Sequence, residues 1–118
     1  MTAPAPALTP WHLVAFVGEL VVWGCAAWAG WSVATGPLRW LLALLAFVVT
    51  VGVWAVFAAP RAARRLPLRS RLALIAGLGG IVALAFLSVD HGVGAATATI
   101  AALAVVLAQW RDEASAHR

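Results

Sequence analysis

Four long apolar runs, separated by short polar or helix-breaking punctuation, constrain this chain more than any other feature. A transmembrane helix needs about 20 consecutive, mostly apolar residues. The first run extends from about His12 to Ala34 and stops at Gly36 and Pro37, which break helices. The second extends from about Leu38 to Ala59 and stops at Pro60. The third covers about Arg71 to Val89, ending at Asp90-His91-Gly92, and the fourth about Val93 to Trp110, before a polar tail. Ala, Thr and Gly dilute the fourth run, yet it carries no charge. A helix apolar on every side has no face to show water.

Composition supports the same reading. Of the 118 residues 64% are hydrophobic and 10% charged, against about 25% charged in a typical soluble domain. The expectation is one all-α membrane domain over residues 1–118, a bundle of four transmembrane helices joined by short connections. The start, MTAPAPALTPW, has no basic segment before its apolar run, and that run is too long for a signal sequence, so no cleaved leader is expected. All eight basic side chains other than His are Arg and none is Lys, as in a GC-rich bacterial coding sequence.

Charge distribution gives the orientation. The connection PRAARRLPLRSR, residues 60–71, holds Arg61, Arg64, Arg65, Arg69 and Arg71, whereas the other two connections hold Arg39 and His91. The positive-inside rule places the Arg-rich loop in the cytoplasm. Four spans then leave both termini cytoplasmic, in a bacterial inner-membrane protein. The net charge of +4 is confined to this layout rather than spread over a soluble basic face, which argues against nucleic acid. Anionic lipid head groups, or an acidic partner surface, are the expected partners of the five arginines. Trp11, Trp31, Trp40 and Trp110 fall near span ends, where indoles favour the interface.

Small residues recur every three or four positions in the last two spans: Ala73, Gly77, Gly80 and Ala83 in the third, and Gly94, Ala98 and Ala102 in the fourth. Such stripes let helix backbones approach closely in lipid, within one chain or in a parallel homo-oligomer. Cys25 stands alone, reads as a small buried residue and cannot form an internal disulfide. No nucleophile–base pair, metal-ligand cluster or phosphate-binding loop is present, and neither a cofactor, a metal nor an enzymatic activity is expected.

The exception to the apolar text is Glu19, in VAFVGELVVWG. It lies about 10 Å into the first span at 1.5 Å per residue. An acid at that depth costs about 2–3 kcal/mol on insertion scales, so it must face protein or a wet cavity. Trp54 in the second span is at similar depth, and its indole N–H is a candidate donor to the carboxylate. Arg61 can reach up from the loop. The expected cluster is Glu19, Trp54 and Arg61, with Trp23 and His12 nearby. Glu19 is then either a polar staple between helices or a proton and ligand site facing a cation, with Trp faces beside it.

Several segments are shared with a known group. GEL at 18–20 with AAWAGW after it, RWLLAL at 39–44, and VWAVFAAPRAARRLP at 53–67 together resemble the YrdB-like family of small bacterial membrane proteins of unknown function. In the last segment Trp54, Pro60, Arg61, Arg64, Arg65 and Pro67 carry the match. The resemblance implies four spans and no assigned activity. The family pattern places an acid early in span three, where LALIAGLGG has none. Length, span number and the acid in span one are also similar to small multidrug resistance transporters. The strong Arg asymmetry here implies a single orientation and a parallel rather than antiparallel dimer. Two functions follow as expectations: a non-enzymatic membrane protein acting through packing, oligomerisation or a lipid or protein partner, and a small proton-coupled transporter or channel subunit using Glu19.

Overall fold

A computed structural model describes residues 10–58, 64 and 66–116, with side chains followed to residue 114. It contains four α-helices: α1 (Pro10–Ser32), α2 (Leu38–Phe57), α3 (Leu68–Ser88) and α4 (Gly92–Ala116). All four are long and apolar enough to cross a membrane. At 1.5 Å per residue they measure about 30 to 38 Å, matching a hydrocarbon core of about 30 Å. The protein is thus built as a multi-pass membrane protein.

Two helices run past the apolar spans. α3 begins at Leu68 directly after Pro67, so Arg69 and Arg71 belong to its first turns. α4 continues beyond Trp110 through Arg111, Asp112 and Glu113 to Ala116. Hydropathy marks where lipid begins, whereas the helix ends only where the backbone is interrupted, and no Gly or Pro follows Trp110.

The turns at the two short connections are chemically explicit. Gly36 takes a left-handed φ of 63° and lets the chain reverse before α2. Asp90 takes φ 56° after α3, and the backbone N–H of His91 donates to the carbonyl of Phe86 at 2.8 Å while that of Asp90 donates to Leu87 at 3.1 Å. This is a Schellman-type stop with Asp in place of the usual Gly. His91 then starts the next helix, its Nδ1 accepting the Gly94 backbone N–H at 3.1 Å.

α1 is the central element. It packs against α2 on one side and α4 on the other and touches α3 more lightly, while α3 lies along α4. The core sits among α1, α3 and α4: Cys25, Ala26 and Ala29 meet Val82, Ala83, Phe86, Ala95 and Ala98. Phe86 and Val105 are fully enclosed, Phe86 seated where Gly94 leaves room for its ring. α2 is peripheral, with Thr50 alone buried in its length. Its Leu41, Leu44, Leu45 and Val48 are all more than half exposed. In water such a face would be untenable for a monomer; against acyl chains it is the expected lipid surface.

The small-residue stripes divide. Gly94, Ala98 and Ala102 of α4 are buried in the helix contacts. Ala73, Gly77 and Gly80 of α3 are exposed, and a methyl group added at Gly77 or Gly80 would meet nothing. The face of α3 turned to α4 carries Arg71, Ile75, Gly79, Val82, Ala83 and Phe86 instead. α3 is apolar on both sides, so its hydropathy does not select the face; the burial of Arg71 and the fit of Phe86 do.

Candidate functional site

One end of the molecule gathers the start of α1, the start of α3 and the end of α4. The backbone N–H of Leu66 donates there to the carbonyl of Phe57 at 2.9 Å, bringing the end of α2 to the same level. Four polar side chains from three helices meet beneath this end. Arg71, only 3% exposed, donates from Nε to Gln109 Oε1 at 2.7 Å, from Nη1 to the Leu66 carbonyl at 3.1 Å and from Nη2 to Glu113 Oε1 at 3.0 Å. Gln109 passes the chain on, its Nε2 donating to Glu19 Oε1 at 3.3 Å. The Glu19 side chain, in a residue 9% exposed, therefore ends a path that runs α4, α3, α4, α1. A guanidinium between two carboxylates, with an amide bridging to the deeper one, is a charge-assisted network. It leaves little of the Arg71 donor set unused.

Among the described residues the cation of the Glu19 cluster is Arg71, acting through Gln109. Arg61 and Arg65 lie outside the described residues. Trp54 stands beside Glu19 as expected, its buried indole N–H close enough to act on the carboxylate though not in full hydrogen-bond geometry. Trp23 packs edge-on against Trp54, centroids 5.0 Å apart. His12 lies two turns before Glu19 on the same face of α1, with Nε2 3.0 Å from Asp112 Oδ2. That contact ties the start of α1 to the end of α4 a second time.

Arg71 must also be withdrawn from the set of arginines facing lipid head groups. It sits on the α4 side of α3, where its desolvation is offset by Glu113, Gln109 and a carbonyl. Arg64 and Arg69 are exposed. The residues that sequence reasoning missed are Gln109 and Glu113. The available signal for the first was that Gln109 is the chain's single Gln and falls inside the fourth apolar run. Glu113 falls in the polar tail by composition, because helix continuation beyond Trp110 is invisible to hydropathy.

The opposite end is aromatic. Trp31 and Trp40 meet edge-on at 4.5 Å, and Arg39 stands 4.4 Å over the Trp31 ring. Trp28 packs against Phe86 and His91. The hydroxyls of Ser32, Thr97 and Thr99 donate to carbonyls one turn back in their own helices, which satisfies them locally.

No curated protein and no solved structure matches the chain. Residues 13–109 match the family described as protein of unknown function (DUF2568), and the chain belongs to that family.

Proposed function

We propose that this is a non-enzymatic protein of the bacterial inner membrane, related to the YrdB-like group, with both termini and the Arg-rich loop cytoplasmic. It acts through its basic end, which meets anionic lipid head groups or an acidic partner through Arg64, Arg69 and the neighbouring Arg61 and Arg65, and it is compatible with a parallel homo-oligomer. Glu19 is a structural staple in this reading. The observation that carries it is the closed bonding path Glu19–Gln109–Arg71–Glu113, in which each group is engaged by another protein group. An acid held this way locks α1 to α3 and α4 and presents the basic end at a fixed level.

A second reading, a proton-coupled transporter or channel subunit, is favoured by one feature. The Trp54 indole N–H is buried beside Glu19, close enough to act on the carboxylate but not in full hydrogen-bond geometry, and the Trp23 ring stands against it. A donor and aromatic faces beside an acid are the elements of a cation site. Glu19→Gln separates the two. The staple reading expects a lower unfolding temperature in detergent and unchanged proton or cation flux in proteoliposomes. Loss of flux with unaltered stability would establish the transporter reading instead.

A further inference from the structure

Outside the polar network, an open apolar groove of about 570 Å³ runs along the seam of α1 and α4. Its walls are Leu13, Val17 and Val21 of α1 and Ile100, Ala101 and Ala104 of α4. It runs about 12 Å along α1, from Leu13 to Val21. Thr97 at its far end spends its hydroxyl on the Val93 carbonyl, so the walls offer no polar partner and suit a hydrocarbon chain.

The mouth nearest the basic end has different chemistry. Arg111 follows Ala104 by seven positions, two helical turns, and so continues the groove-lining stripe of α4. Its guanidinium lies 6.0 Å from the Trp11 ring and 5.8 Å from the Trp110 ring. Trp11 is two residues before Leu13, where the groove begins. The nearest carboxylates on α4 are turned elsewhere, Asp112 to His12 and Glu113 to Arg71. Arg111 is exposed and forms no ion pair among the described residues.

We propose that this seam is a binding site for one anionic phospholipid, its acyl chain in the α1–α4 groove and its phosphate on Arg111 between the two indoles. The charge at the mouth and the dry groove below it select an amphiphile with an anionic head. The site rests on the membrane reading above but uses none of the loop arginines.

The test is native mass spectrometry of the full chain in mild detergent, titrated with phosphatidylglycerol, phosphatidylcholine or soluble glycerol phosphate. One phosphatidylglycerol per chain is expected to bind in preference to phosphatidylcholine, and glycerol phosphate is expected not to compete. Arg111→Gln should weaken phosphatidylglycerol about fivefold, the loss of about 1 kcal/mol for one Arg at an anionic surface. Ile100→Trp fills the groove from a position 67–68% exposed like Ile81 on α3. It should displace the lipid with Arg111 intact, while Ile81→Trp should not. Wild-type lipid retention by either Arg111→Gln or Ile100→Trp overturns the site, as does competition by glycerol phosphate. Arg64→Gln with Arg69→Gln reads the loop separately: loss of lipid there with a normal response in Arg111→Gln overturns this site and leaves the loop reading standing.

Discussion

Arg69 and Arg71 are two residues apart on α3 and occupy different media. A shift of two positions turns a side chain by about 200° around a helix, so Arg69 is exposed while Arg71 faces α4. The guanidinium suits the buried position because its planar fork serves Gln109, Glu113 and a carbonyl at once. Removing it takes the buried cation away from Glu113, Gln109 and the Leu66 carbonyl. Arg71→Leu should therefore destabilise by about 3–5 kcal/mol, the range for breaking a buried ion pair from one side. Arg69→Leu and Arg64→Gln should stay within about 0.5 kcal/mol, as surface changes do. Reversible unfolding in mixed micelles checks the contrast, and equal losses at Arg69 and Arg71 would contradict the network. At this scale the sequence displayed Glu19 and its neighbour Trp54, but not Gln109 and Arg71. Gln109 and Arg71 are 90 and 52 positions away from Glu19 and reach it only through helix packing.

At the level of the helices, contact is decided by where backbones approach. A Cβ at Gly30 would collide with the α2 backbone at Leu42, and one at Gly79 with the Ala102 side chain. Gly77 and Gly80 have open space in the same direction. Ala at Gly30 should lower stability by about 1–3 kcal/mol, the usual cost of overpacking, with Gly79→Ala in the same direction. Gly77→Ala and Gly80→Ala should leave thermal unfolding nearly unchanged. A large loss at Gly77 or Gly80 would mean that the exposed stripe is covered by another chain, as the oligomer reading allows. The stripe was legible as a pattern, and on α4 Gly94, Ala98 and Ala102 do lie in the contact. On α3 two small-residue registers coexist, and only the fit of Phe86 against Gly94 and of Arg71 against Gln109 distinguishes them. The packing stripe of α1, Gly18, Val22, Cys25, Ala26 and Ala29, follows the same spacing, but its mixed residue types hide it in apolar text.

As a whole molecule the protein is a spine of α1 and α4 with α3 along α4 and α2 leaning on α1. The helices cross as antiparallel neighbours, so the start of α1 and the end of α4 share one end, joined through His12 and Asp112. The last part of the Arg-rich connection, Leu66 to Arg71, belongs to the same end. The proposed orientation, with this end cytoplasmic, rests on the positive-inside rule. A reporter fused after Arg118 should be active only on the cytoplasmic side. Activity on the far side would invert the topology and remove the cytoplasmic role of the basic end.

The sequence by itself determined the medium, the number of helices and the asymmetry of charge, because each depends on local sums: apolar length against bilayer thickness, and arginines per connection. The turns at Gly36 and at Asp90-His91 were equally local. Which face each helix buries, which cation answers Glu19, and the rank of α2 as an outlying helix were decided by the tertiary structure alone. A helix apolar all round packs as favourably by hydropathy in one rotation as in another, since lipid tails resemble Leu side chains. Only the close approach of backbones at glycine and alanine, and the need of a few buried polar groups to find one another, removes that degeneracy.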